Sequence, residues 1–318
     1  MAFMPKKPAF PPALKPGDTI GIVSPARWLP PEGLAKAKKY LEKRGYRVVI
    51  HPQNYLKDGQ LAGSDGARAG AIMDMFANPD IDAILCARGG CSSIRIVDKL
   101  NYKMIARNPK PFIGFSDITI FLNTFAQHCS FISYHGPMAW NFAYQMHRQT
   151  GDDLFDLLEN RKKNLTLSFS DIECIRPGKA EGQLIGGNIT RLELLMDTAY
   201  DWSGKDSILF IEDVDEVMYK IDEKMNHLRL AGRFKNVRAV LVGEMIGIAD
   251  GESGYVKKGD RPYGRTLRQI FEEQLPSDIP LCMNFPCGHG KYLTTLPVGA
   301  HTRLTLNAKS AKLSFQRS

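Results

Sequence analysis

The sequence predicts an α/β fold in two units, an N-terminal doubly wound parallel sheet followed by a second, smaller, β-rich unit. Three observations predict it. Strand-like and helix-like segments alternate through the first half of the chain, the pattern of a parallel sheet covered by helices on both faces. The rhythm changes after the polar, Pro- and Gly-punctuated stretch Arg176-Pro177-Gly178-Lys179, which marks a boundary. At 318 residues the chain is too long for one typical domain and suits two. Domains over residues 1–170 and 180–318, joined by a 171–179 linker, follow from these.

The elements read in order. Thr19-Ile20-Gly21-Ile22-Val23 is an apolar strand stopped by Ser24-Pro25. Pro31 to Arg44 is helical and Gly45 stands where a C-cap glycine would. Tyr46 to Ile50 reads as a strand, Asp65 to Ala77 as a helix, and Ile81 to Ala87 as an apolar strand broken by Arg88-Gly89-Gly90. Helical Ser92–Leu100, the brief strand Phe112–Gly114, helical Asp117–Gln127 and the strand Phe131–Tyr134 complete the first half. In the second half, Gly182–Ile185, Ile208–Ile211 and Ala239–Val242 are strands. Asp215–Ala231 is a helix with Val217, Ile221, Met225 and Leu228 on one face, and Arg265–Gln274 is another. Thr302–Leu306 and Lys312–Phe315 are short strands near the end.

Composition narrows the functional classes. The apolar fraction of 43% and charged fraction of 24% are those of a globular protein with a real core. The formal net charge is +8, but Lys and Arg are scattered rather than clustered. That predicts a basic surface with some attraction for carboxylate-rich ligands, and no nucleic-acid partner. The N-terminal residues lack a signal-peptide core, and no run is long enough to span a bilayer, so a cytoplasmic location without membrane attachment is expected. Six dispersed cysteines predict reduced thiols rather than a disulfide scaffold. Cys86/Cys91 and Cys282/Cys287 have spacing that a zinc site could use, yet Cys86 closes an apolar strand where a buried thiol is ordinary. No metal and no cofactor are expected.

In open parallel sheets ligands sit at the carboxyl ends of strands. Arg88-Gly89-Gly90, Ser116 and His135-Gly136 all fall at such ends. Ser116 lies on a strand-to-helix turn in Gly114-Phe115-Ser116-Asp117, the layout of a nucleophile elbow, although Ile118 replaces the second glycine of the usual pattern. The same residues suit a plain helix cap. The Gly89-Gly90 pair can offer backbone N–H groups to an oxyanion or be a simple tight turn, and no nucleotide-binding glycine motif is present. A serine nucleophile needs a base. His135 precedes Gly-Pro at a strand end, and His289 lies in the glycine-framed loop Gly288-His289-Gly290. Either histidine can instead make a structural hydrogen bond. Glu212 and Asp213 close an apolar strand, where a carboxylate needs a partner or solvent, and Asp213 or Asp215 can also serve a helix start.

Together these segments resemble the serine LD-carboxypeptidases, which include murein tetrapeptide carboxypeptidases and microcin-immunity peptidases. The markers are Leu61-Ala62-Gly63-Ser64-Asp65, Ala87-Arg88-Gly89-Gly90, Gly114-Phe115-Ser116-Asp117, Tyr134-His135-Gly136-Pro137, Gly182 to Asn188, Leu209-Phe210-Ile211-Glu212-Asp213 and Gly288-His289-Gly290, in the family's order. The resemblance implies a catalytic triad of Ser116, Glu212 and His289, with an oxyanion hole from the backbone N–H groups of Asp117 and Gly90. It implies a barrel-like second domain, a homodimer, and a small muropeptide substrate that loses its terminal D-alanine. One departure stands out. The family has tyrosine and glycine after Arg-Gly-Gly, where this chain has Cys91 and Ser92. The resemblance leaves room for hydrolysis of peptidyl or aminoacyl nucleotide conjugates, as in the microcin-immunity branch. A binding module without turnover and a zinc hydrolase are the other readings weighed. Intact Ser116, Glu212 and His289 argue against the binding module.

Overall fold

The computed structural model describes residues 7–144, 147–161, 165–250 and 261–316. Among these the strands form two sheets. The first contains β1 (Thr19–Val23), β2 (Arg47–Ile50), β3 (Ala83–Cys86), β4 (Phe112–Gly114) and β5 (Ser133–His135). These are mutually parallel. The second contains β6 (Leu165–Ser170), β7 (Glu173–Arg176), β8 (Gly178–Asn188), β9 (Ser207–Val214), β10 (Val237–Ile246) and β11 (Leu281–Gly288). After β11 the chain crosses back, and β12 (Leu296–Val298) adds antiparallel to β5. It then returns to the second sheet as β13 (His301–Asn307) and β14 (Ser310–Phe315).

The sheet orders are β12-β5-β4-β3-β1-β2 and β6-β14-β13-β8-β9-β10-β11-β7. Within the second sheet β8, β9, β10 and β11 run parallel. The other pairings there are antiparallel. The first unit is thus the α/β sheet expected, parallel except for its antiparallel edge strand β12, and the second is a mixed eight-stranded sheet. The 171–179 stretch holds β7 and the first residues of β8. Its Pro and Gly mark the joint between two strands rather than a free connection.

Helices cover both sheets: α1 (Pro31–Lys43), α2 (Asp65–Ala77), α3 (Tyr102–Arg107), α4 (Thr119–His128), α5 (Ala139–Tyr144), α6 (Arg148–Leu158), α7 (Ile189–Leu194), α8 (Met218–Leu230) and α9 (Leu267–Gln274). Their ends follow local chemistry. Ser64 caps α2 by accepting from Ala67 N–H, and Thr266 and Gln269 form a capping box on α9. The helix expected over Ser92–Leu100 is a 3₁₀ helix, Ser93–Lys99, preceded by Ser92 at φ 74°. Glycine reaches that conformation freely and serine does not. The helix expected from Asp117 begins as a 3₁₀ turn, Ser116–Ile118, and continues as α4.

The interface between the two sheets depends on α4. Thr119 and Asn123 on this helix are buried. Asn123 Oδ1 accepts from Gly186 N–H at 3.1 Å, and its Nδ2 donates to Gly186 C=O at 2.9 Å. Asn188 N–H donates to Thr119 Oγ1 at 3.0 Å. The end of β8 is therefore hydrogen-bonded to the helix that follows Ser116. Gly187 lies between, at φ +133°, and a Cβ there would come within 2.4 Å of Thr119 Oγ1. The expected outcome for Gly187→Ala is a loss of about 3 kcal/mol, from overpacking plus backbone strain, read as a lowered denaturant midpoint. An unchanged midpoint would show that α4 tolerates displacement from β8.

Candidate active site

The parallel strands of both sheets end toward one another. Ser24–Arg27 follows β1, Arg88-Gly89-Gly90 follows β3 and Ser116 follows β4. From the other sheet come Asn188, Glu212 and Gly288 at the ends of β8, β9 and β11. This meeting of carboxyl ends is where ligands bind in parallel sheets. A larger groove, of about 1050 Å³, lies at the opposite, amino ends of β8 to β11, where Lys179, Asp206 and Arg238 line it. None of Ser116, His135, Glu212 or His289 lines it.

Ser116 adopts φ 62° on the turn between β4 and α4. A non-glycine residue held in the left-handed region is strained, and such strain collects at functional sites. The turn projects the half-buried serine toward Gly89. A Cβ on Gly89 would lie 3.0 Å from Ser116 Cβ and 3.2 Å from Ser116 Oγ. The glycine leaves that space open.

The neighbouring Asp117 is structural in its side chain. Its wholly buried carboxylate pairs with Arg191 Nε at 3.0 Å and accepts from Ser93 N–H at 2.9 Å. Arg191 Nη2 also donates to Gly90 C=O at 3.3 Å, and Arg27 N–H donates to Gly89 C=O at 3.4 Å. The glycine turn is thereby tied to both sheets.

Glu212 and Asp213 point to opposite faces of β9, as successive strand residues do. Asp213 accepts from Asn188 Nδ2 at 2.8 Å and from Thr190 Oγ1 at 2.7 Å. It fixes the start of α7. Glu212, fully buried, meets His289 Nδ1 through Oε2 at 2.8 Å. The glycines around them are required by this contact. A Cβ on Gly288, at φ +106°, would come within 2.8 Å of Glu212 Oε2.

His289 is mostly buried, with a fifth of its side chain exposed. Burial alone would depress its pKa. The charge and hydrogen bond of Glu212, aided by Asp213 and Asp215, outweigh that and raise it above the ordinary 6.5. Glu244 on β10 accepts from Gly290 N–H, and its own pKa is raised by burial and by the adjacent Glu212 charge. A Cβ on Gly290 would overlap Glu244 Oε2.

The nucleophile candidate and the histidine come together through Phe115. Its ring stands 4.9 Å from the His289 ring, centroid to centroid, and Ser116 is the next residue. Among the described residues no hydrogen bond joins Ser116 Oγ to His289, and such bonds commonly tighten only when substrate binds. A cavity of about 110 Å³ adjoins His289, lined by Phe115, Trp140, Asn141 and Lys291 among others.

His135, the other histidine weighed, is not placed to act as a base. It is wholly buried and both ring nitrogens lack hydrogen-bond partners among the described residues. Its ring packs against Phe115 and Phe210 at 5.8 and 5.0 Å. Burial, followed by the nearby His289, lowers its pKa to about 3, which keeps it neutral.

The cysteines are distributed through the core. Cys86, Cys282 and Cys287 are buried, and Cys91 is half-buried beside the glycine turn. Among the described residues no group of three or more His, Cys, Asp or Glu is gathered to hold a metal ion. No helix among them is long and apolar enough to cross a membrane.

Comparison with known proteins decides the family. A model of the LD-carboxypeptidase N-terminal domain matches residues 20–136, and a model of the LD-carboxypeptidase C-terminal domain matches residues 181–304. The chain belongs to the LD-carboxypeptidase family. Within the family it is similar to a probable murein peptide carboxypeptidase of Bacillus subtilis, at 31% identity over 95% of this chain and 93% of the relative. A muramoyltetrapeptide carboxypeptidase from Oxalobacter formigenes superposes with a TM-score of 0.79 at 26% identity, covering 93% of this chain and 98% of that one. An MccF-like protein from Bacillus anthracis gives a TM-score of 0.82 at 25% identity, covering 97% and 99%. The two sheets seen here are therefore the LD-carboxypeptidase architecture.

Several site residues were not legible as such. Arg27 and Arg191 reach the glycine turn from distant parts of the sequence. Glu244 carried a signal that was available: a carboxylate in the apolar run Val237–Ile246, directly after Gly243, meets the same burial argument as Glu212.

Proposed function

We propose that this chain is a serine carboxypeptidase that releases terminal D-alanine from L,D-linked murein tetrapeptides during cell-wall recycling in the cytoplasm. The observation that carries the reading is the 2.8 Å pair between His289 and the fully buried Glu212, set beside the strained Ser116 in a chain of this family. His289 Nε2 takes the Ser116 proton as Oγ attacks the carbonyl of the amide that joins the L-centre to D-alanine. Glu212, accepting from Nδ1–H, selects the tautomer that leaves Nε2 free and stabilises the imidazolium.

The oxyanion is received by two backbone N–H groups. Asp117 lies in the first turn of the helical segment at Ser116–Ile118, where N–H groups have no partner within the helix. Gly89 C=O is held by Arg27 N–H, and the trans peptide aims Gly90 N–H the opposite way. The C–N bond then breaks, His289 returns the proton to the leaving amine, and D-alanine departs. A water, deprotonated by His289, releases the acyl group and restores Ser116.

The test is mass spectrometry of a tetrapeptide muropeptide incubated with the protein without added metal. Loss of one terminal D-alanine supports the reading. An intact tetrapeptide alongside cleavage of an aminoacyl-nucleotide analogue would replace it with conjugate hydrolysis.

The rate must also follow pH in a stated direction. His289 is a base only when neutral, and its pKa is raised above 6.5. The expected kcat/KM therefore increases with pH through a midpoint above 6.5. A midpoint well below that value would remove His289 from the role of base.

A further inference from the structure

Most arginines near the site have carboxylate partners. Arg68 and Arg95 share Asp65, and Arg191 pairs with Asp117. Arg27 and Arg88 differ. Among the described residues neither guanidinium has an ion pair or a hydrogen bond, and Arg27 Nε is buried without a partner. Both side chains are only partly exposed. Burial and then the charge of Arg27 hold the Arg88 pKa down, with Tyr144 acting the other way. Two partly buried cations that repel each other are costly unless an anion joins them.

Their position relative to Ser116 is set by the two glycines. The Arg27 side chain lies on Gly90, where an added Cβ would be 2.5 Å from Cδ and 3.1 Å from Nε. The equivalent point on Gly89 faces Ser116 Oγ at 3.2 Å. Gly89 and Gly90 are adjacent, so the Ser116 hydroxyl and the Arg27 side chain rest against neighbouring residues of one turn. A carbonyl under attack lies about 3 Å from the nucleophile, and one further residue spans roughly 3.3–3.6 Å. A carboxylate one residue beyond the scissile bond would lie on the side of the turn where the Arg27 stem crosses Gly90, and Arg88 directly precedes the same glycine pair. Guanidinium forks match carboxylates in two hydrogen bonds.

We propose that Arg27 and Arg88 form the seat for the free terminal carboxylate of the residue released, and that this seat restricts cleavage to the last residue of the chain. The inference rests on the carboxypeptidase reading and deepens it. It explains why Gly90 must lack a side chain, since any Cβ would displace the Arg27 stem. It also accounts for a polar pair beside the nucleophile that no protein group neutralises.

The test separates this inference from the reading beneath it. Calorimetry is done on the Ser116→Ala protein with a tetrapeptide ending in D-alanine and with the same peptide ending in D-alanine amide. The acid is expected to bind at least about 30-fold more tightly than the amide, the scale of charge-assisted contacts. Adding Arg88→Gln or Arg27→Gln should each weaken the acid by about 10- to 100-fold and leave the amide within about twofold. Arg88→Lys, which keeps the charge but not the fork, should fall between. Equal binding of acid and amide by Ser116→Ala would overturn the seat while leaving the peptidase reading intact. So would a preference that survives both glutamine substitutions. Failure to bind either peptide would overturn the muropeptide reading and the seat together. Retained amide affinity shows that each variant is folded.

Discussion

Ser116→Ala should lower tetrapeptide turnover by about 10³- to 10⁶-fold, with binding of the tetrapeptide retained. In the proposed mechanism the hydroxyl forms the acyl bond, so its removal would leave only orientation and the oxyanion N–H groups. The substitution deletes one oxygen from a half-buried residue and leaves Gly89 and the α4 junction untouched. Folding should therefore be preserved, apart from any change in the strain at φ 62°. Kinetics together with a melting curve check this. A melting temperature near that of the parent with turnover lost assigns the hydroxyl to chemistry. Turnover that survives at more than a tenth of the parent rate would exclude Ser116 as nucleophile.

Glu212→Gln should reduce kcat/KM by about 10²- to 10⁴-fold with little change in KM. The amide is nearly the size of the carboxylate but cannot favour the imidazolium. The His289 pKa should fall, and the acid limb of the pH–rate profile should move to lower pH. The stability consequence has the opposite dependence. A histidine whose pKa is raised by folding contributes stability fully below about 6.5, and loses it as pH rises through the folded value. Glu212→Gln should thus cost stability mainly in acid, and the two proteins should converge above the folded pKa of His289. A variant with reduced rate and an unmoved acid limb would assign Glu212 a packing role.

The parallel sheet of the first unit was legible because its strands are short apolar runs, each ended by a turn that sequence marks plainly, such as Ser24-Pro25 or Arg88-Gly89-Gly90. Ser116, Glu212 and His289 stood out as candidates for a related reason, since each lies where such a run stops, and the family resemblance is what joined them into a proposed triad. The local pattern did not separate Glu212 from Asp213. That depended on which face of β9 meets His289 and which meets Asn188. Likewise the local pattern did not separate the two candidate histidines; packing does, burying His135 between two phenylalanines and leaving a fifth of the His289 side chain exposed.

Long-range pairing hid the rest. The polar segment 171–179 reads as a connection because β7 alternates weakly and ends at a proline. It is a strand because it pairs with β11, about a hundred residues later. The return of Leu296–Val298 to the first sheet has no local signature either. Arg27 is a lone basic residue until the fold lays its stem across Gly90. The Gly186-Gly187-Asn188 end of β8 has no local signature of its role, which is to admit α4 closely enough to hydrogen-bond it to the second sheet.

The central claim is that Ser116 is the acylated residue, and covalent labelling tests it most directly. The protein would be titrated with a fluorophosphonate, the adduct located by peptide mass mapping, and D-alanine release measured on the same samples. The account predicts one adduct, at Ser116, with activity falling in proportion to its occupancy. Full activity with Ser116 completely labelled would contradict it, as would activity lost in step with an adduct at another residue while Ser116 stays free.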